Sequence, residues 1–199
     1  MTISLPSDEI LMKYASGSLD PALHMLVDAH LERHPASRAT VQPFNRYGGL
    51  CLSAAPGVEM AAGSLDRALA RIASCGTEAP APSRVPDVEA LDWRWAGPGR
   101  GIANIAVPGS RYKAYALRIQ PGRAMLQHTH AGQEWTVILQ GAYADEGGAF
   151  DAGSFIEEDG DTNHRPVATG NEECICLAVM SAPLLAQGIG GVLARWLMR

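Results

Sequence analysis

Three donors able to hold a metal ion begin within one stretch, GRAMLQHTHAGQEWTVILQG from Gly122 to Gly141: the imidazoles of His128 and His130 and the carboxylate of Glu134. His128 and His130 are two apart, so on a β-strand both side chains leave the same face. Trp135, Thr136, Val137, Ile138 and Leu139 follow Glu134 as an aromatic and β-branched run that reads as a buried strand. A fourth donor, His164, has to arrive from a later strand. The turn formers Gly147, Gly148, Gly153 and Asp159 to Asp161 provide the reversals that bring it back. Three neutral imidazoles and one carboxylate suit a divalent metal: zinc, iron, manganese or nickel.

The spacing sharpens this reading. Gly122, His128, His130, Glu134 and Gly141 fit the pattern G-x5-H-x-H-x3-E-x6-G. It resembles the first motif of the cupins, small antiparallel β-barrels that hold a metal in the barrel mouth. The second cupin motif, G-x5-P-x-G-x2-H-x3-N, is met at Gly153 and His164, with Asp159, Asp161 and Ala168 standing at its proline, glycine and asparagine. Aspartate also favours turns, so the ligand is retained while the turn chemistry changes. No separate general base stands out. Tyr143 can face the mouth, and Glu157 and Glu158 read as solvated loop positions.

The rest of the chain must position these groups. Its 199 residues can hold one embellished barrel or two small domains, and 47% hydrophobic with 19% charged residues excludes wholesale disorder. A formal net charge of −5 gives no general electrostatic reason to bind nucleic acid directly. The start, MTISLPSDEIL, lacks the basic and apolar regions of a signal peptide, and no apolar run approaches the roughly 20 residues of a membrane span, so a cytoplasmic location with no membrane contact is expected. Cys51, Cys75, Cys174 and Cys176 are too few and too unevenly spaced for a secreted disulfide scaffold.

Up to about residue 80 the sequence reads as helices. Ser7 caps a first helix carrying Asp8 and Glu9 in its first turn, and Gly17 is placed to end it. Asp20 and Pro21 start a second helix that stops near Pro35 and buries one face through Leu23, Leu26 and Val27. A third segment, from about Arg38 to Ala55, is expected to be interrupted by Pro43 and the Gly48–Gly49 pair. A fourth, SLDRALARIA, sets Leu65, Leu69 and Ile72 on one side and is short enough to need a packing partner. The segment from Thr77 to Pro86 has the proline content of an extended linker. Beyond it, short strands are expected around Trp93, Ile102, Arg111 to Ile119, the histidine stretch, Tyr143, Phe155 and Glu173 to Met180. Periodicity leaves GGVLARWLMR open between strand and helix. The expected fold is α+β: a small N-terminal helical bundle over 1–78, a linker over 79–88, and a C-terminal cupin, an antiparallel β-barrel or jelly roll, over 89–199.

Taken together the chain resembles the ChrR family of anti-sigma factors. The carriers are YASGSLD from Tyr14, AHLERHPAS from Ala29, SLDRALARI from Ser64, the HTHxGxE segment from His128, LQGAYADEGG from Leu139, GSFIEEDGDTNHRP from Gly153 and CICLA from Cys174. The resemblance implies a helical domain that holds an extracytoplasmic-function sigma factor. It also implies a cupin that senses oxidative, singlet-oxygen type stress, with zinc on His128, His130, Glu134 and His164. A second zinc is usual in the family's helical domain, on a histidine near the N-terminus and an H-x3-C-x2-C segment. Here His30 matches the histidine of that segment, but His34 and Ser37 stand where the cysteines would, no histidine precedes the first helix, and serine is a poor zinc ligand. Cys174 and Cys176 match the family's CxC. On a strand they point the same way, either as a pair open to oxidation or as small hydrophobes in the wall. The alternative from a different class is a metal-dependent cupin enzyme, a dioxygenase or hydrolase, using the same ligands with an open coordination position.

Overall fold

Ser7 sits ahead of helix α1 (Asp8–Ala15) and its side chain accepts from the backbone of Ile10, while Asp8 and Glu9 complement the positive end of the helix. Gly17, at φ +71°, turns the chain out of α1. Helix α2 (Pro21–Arg33) begins with Asp20 as its cap and proline in its first turn. The computed structural model describes residues 3–74, 83–182 and 184–186, and within them a short 3-10 turn at Pro35–Ser37 leads into α3 (Arg38–Ala54), followed by α4 (Ser64–Ser74). Helix α3 is continuous, against the expected interruption: Pro43 is exposed, and a Cβ added at Gly48 or Gly49 would meet nothing, so these residues weaken the helix without breaking it. Cys75, residues 77–82 and the GGVLARWLMR segment lie outside the described residues.

The strands are β1 (Arg94–Trp95), β2 (Arg100–Ile105), β3 (Lys113–Ile119), β4 (His128–His130), β5 (Glu134–Gln140), β6 (Ala142–Asp145), β7 (Gly148–Asp151), β8 (Phe155–Glu158), β9 (Asn163–His164), β10 (Val167–Thr169), β11 (Cys174–Met180) and β12 (Leu184–Ala186). All pair antiparallel, in a six-stranded sheet of order β1-β2-β3-β11-β5-β8 and two three-stranded sheets, β10-β6-β7 and β12-β4-β9. The fold is thus α+β, helices first and an antiparallel barrel after them.

Alternation along β5 and β11 explains why both read as unbroken apolar runs. Trp135, Val137, Leu139, Ile175, Leu177 and Val179 share one core with α1 and α2, whereas Ile138, Cys174 and Cys176 belong to a second cluster with Tyr143 and Ile156. Helix α2 is covered on more than the single face its rhythm suggested: Ala22, Leu23, Met25, Leu26, Val27, Ala29, His30 and Leu31 are all buried. Polar groups fix its seat. Asp20 caps Ala22 and also accepts from Ser110 Oγ at 2.6 Å and Arg111 N at 3.1 Å, while Phe155 N donates to Ser4 O at 2.9 Å.

His30 is fully buried, and its Nδ1 donates to the carbonyl of Gly153 at 2.6 Å. Burial holds this imidazole below its ordinary range, outweighing the carbonyl that favours the charged form. The unfolded chain therefore binds the extra proton first. The stability that His30 contributes is fully present above about pH 6.5 and lost as pH falls through that value toward the folded pKa. Denaturation midpoints are expected to fall between pH 7.5 and pH 5.5, with His30→Gln flattening that slope; an identical slope in the variant would remove His30 as its source.

Gly141 makes the β5–β6 reversal at φ +68°, and a Cβ there would lie 2.6 Å from the carbonyl oxygen of Glu173. Gly141→Ala is expected to cost about 2 kcal/mol or more, from the left-handed conformation and the backbone clash together. Urea unfolding measures it.

Candidate metal centre

His164 and His128 are directly opposed in the register of β4 and β9, so two sequence-distant imidazoles meet across one antiparallel pair. Their Nε2 atoms are 2.9 Å apart, and Glu134, the first residue of β5, brings Oε2 to 3.6 Å from His128 Nε2 and 3.9 Å from His164 Nε2. All three residues are buried. His130 occupies β4 two residues from His128, and its side chain lies outside the described residues.

The outer nitrogens settle which atoms face inward. His128 Nδ1 points at the carbonyl of Leu126 at 2.8 Å, which can only accept, so Nδ1 carries the proton. His164 Nδ1 lies 3.0 Å from Asp145 Oδ2 and 2.9 Å from Glu158 Oε1. Both Nε2 lone pairs are thereby turned toward each other, and a contact of 2.9 Å between two lone pairs is repulsive unless a cation lies between them. The point equidistant from the two Nε2 atoms and Glu134 Oε2 is about 2.0 Å from each, the bond length of zinc to nitrogen and oxygen. These residues therefore fit a divalent metal ion. Without one, a proton takes that place: burial pulls the His164 pKa down, but the Asp145 and Glu158 carboxylates outweigh it and hold it at about 10.

Asp145 and Glu158 were not legible as part of the site. Glu158, read as a solvated loop position, ends strand β8 with its side chain 11% exposed and turned to His164. Glu157, next to it, faces the other way and accepts from the backbone N and Oγ of Ser7 at 2.6 and 3.1 Å. Only the spacing within YADEGG and GSFIEE was available as a signal, and it does not say which carboxylates turn inward. A cavity of ≈ 80 Å³ adjoins His128, Glu134 and His164, with Tyr143, Thr136 and Cys176 in its wall. Tyr143 thus faces the interior, where burial pushes its phenol well above the ordinary range. Cys176, buried with Cys174 as its neighbour, is likewise held up as the neutral thiol by that neighbour and by burial, the form least open to oxidation.

Around His30 the groups engage neighbours directly. His34 Nδ1 and Ser37 Oγ are 2.7 Å apart, the His30 and His34 ring centroids are 6.2 Å apart, and His30 Nδ1 is committed to Gly153.

A small antiparallel barrel with two histidines and a glutamate converging inside it is a cupin. A model of the ChrR cupin-like domain matches residues 83–183. The anti-sigma-E factor ChrR of Cereibacter sphaeroides is 34% identical over 191 residues, covering 89% of both chains. The crystal structure of Rhodobacter sphaeroides SigE in complex with the anti-sigma ChrR superposes with a TM-score of 0.77 at 34% identity, over 90% of this chain and 99% of that one. The chain belongs to the ChrR family of anti-sigma factors.

Proposed function

We propose that this protein is a cytoplasmic anti-sigma factor that holds an extracytoplasmic-function sigma factor through its helical segment and releases it when oxidative, singlet-oxygen type stress alters a metal-bound cupin. The observation that carries the partner reading is helix α4. None of its residues is buried, and Leu65, Leu69 and Ile72 stand 66%, 54% and 69% exposed on one side of it. Helix α3 also carries exposed apolar side chains, Tyr47, Leu50 and Leu52. Such an amphipathic face is the kind that lies in a partner's apolar groove. No helix among the described residues is long and apolar enough to cross a membrane.

In this reading residues 1–78 form the partner-binding part, 79–88 the linker and 89–199 the sensor. His128, His130, Glu134 and His164 hold the metal, with zinc the expected ion. A bound divalent ion supplies a crosslink among β4, β5 and β9. Strand β8 offers the route outward: Glu158 holds His164 on the inner side, while its neighbour Glu157 holds Ser7 at the start of α1 on the outer side.

The test is recovery of sigma factors from native-host lysate on the tagged full-length chain, identified by mass spectrometry. The unmodified chain is expected to retain an extracytoplasmic-function sigma factor. The triple variant Leu65→Glu, Leu69→Glu, Ile72→Glu should lose it while keeping its melting temperature, because no α4 residue is buried. Full retention by the triple variant would sink the assignment to α4, and no sigma factor on either chain would sink the function.

A further inference from the structure

The barrel cavity beside the metal ligands adjoins a second, more polar hollow of ≈ 500 Å³, and the two share Arg100, Met125 and Leu126 in their walls. Arg100, at the start of β2, is fixed at the junction. Its Nη1 donates to Ala124 O at 3.1 Å, and its guanidinium lies flat on Gly97, where a Cβ would come within 3.0 Å of it. Its Nε is buried and has no hydrogen-bond partner among the described residues. The outer hollow is also lined by Arg123 and Arg165. Three arginines thus converge in a chain of net charge −5, and none has an ion-pair partner among the described residues. By contrast Arg84 pairs with Asp28, Arg111 lies over Tyr112 and Arg118 over Trp93. The inner cavity has the opposite character, walled by Ile102, Leu117, Ile119 and Met180.

We infer that these two spaces form one binding site for a small amphipathic anion, whose carboxylate or phosphate-ester head lies among Arg100, Arg123 and Arg165 and whose short apolar tail enters the barrel. Guanidinium groups suit such heads because their planar forks match two oxygens at once. The narrowness of the inner cavity limits the tail to a short chain, and beyond Arg100 its largely apolar wall offers a charged head only the neutral Thr136, Tyr143 and Cys176 besides the metal ligands. The site lies on the barrel and needs no protein partner, so its test is independent of sigma-factor binding.

Calorimetric titration of the metal-loaded full-length chain with hexanoate, acetate and 1-hexanol tests it. Hexanoate is expected to bind at least tenfold more tightly than either acetate, the head alone, or 1-hexanol, the tail alone. The double variant Arg123→Gln, Arg165→Gln should weaken hexanoate at least fivefold and leave 1-hexanol unchanged; both positions are exposed, so the fold is preserved. Hexyl phosphate titrated alongside separates the two head groups, and tighter binding of either assigns the head. Equal affinities for hexanoate and acetate would overturn the site. So would hexanoate binding that ignores the arginine pair but vanishes in His128→Ala, because the carboxylate would then sit on the metal.

Discussion

Substituting Phe155 by alanine is expected to destabilise the folded chain by about 3–5 kcal/mol, the range found when a buried phenylalanine leaves a cavity. The residue has no exposed surface and touches several elements at once. Its backbone pairs with Val137 of β5 and donates to Ser4 O, and its ring meets His30 edge-on at a centroid distance of 6.2 Å and 88°. Neighbours on two secondary-structure layers cannot both collapse into the space left behind. Phe155→Leu keeps most of the volume and should cost less than about 1.5 kcal/mol. Urea unfolding followed by far-UV circular dichroism measures both; a loss below about 1 kcal/mol for the alanine variant would show that the helices do not depend on this contact.

Metal content is the second large effect, and it separates two histidines that look equivalent in sequence. His128→Ala and His164→Ala each remove an inward Nε2, so each is expected to take bound metal from about one equivalent to none, read by elemental analysis after extensive dialysis. Their metal-free stabilities should differ. His128 Nδ1 spends its hydrogen bond on a backbone carbonyl, whereas His164 sits against Asp145, whose side chain is 0% exposed, and Glu158. Removing His164 leaves two buried carboxylates in proximity without the imidazole that separates them, a loss on the scale of about 3–5 kcal/mol for breaking a buried charged pair. His128→Ala lacks that penalty. Equal stabilities of the two metal-free variants would mean that the carboxylates do not hold His164. Undiminished metal in either variant would remove that residue from the ligand set.

How much of this was legible follows from what kind of signal each part leaves. Helix caps are local chemistry, so Ser7, Asp20 and Pro21 announce α1 and α2 at their true starts. The His128–Glu134 spacing is also local, and it placed Glu134 at the head of β5 beside its histidine. His164 was legible as a donor but not its strand, because β9 is two residues long and carries no periodicity. The short strands β7 and β10 escaped for the same reason. Helix α3 was misjudged because breakers at exposed positions tax a helix without stopping it. Asp145 and Glu158 are the instructive omissions. Their inward direction is set by the pairings of β6 with β7 and of β5 with β8, which a sequence does not display. The arginine trio is equally invisible, because Arg100, Arg123 and Arg165 lie far apart along the chain.

The core that α1 and α2 share with β5, β8 and β11 constrains how release can happen. Lifting α2 from the sheet would bring Leu26, Val27, Val137 and Phe155 into water together, a loss comparable to the stability of the whole domain. Undocking by rigid-body separation is therefore closed to this molecule. Under the proposed function, a signal received in the barrel would have to travel as a small adjustment through an intact interior, and the parts left free to respond are α3 beyond Val41 and α4, which hold almost nothing of that core. In protease digestion the first cuts should thus fall in the α3–α4 region, leaving the helices up to α2 and the barrel as two resistant fragments that stay together under native conditions and separate only on denaturation.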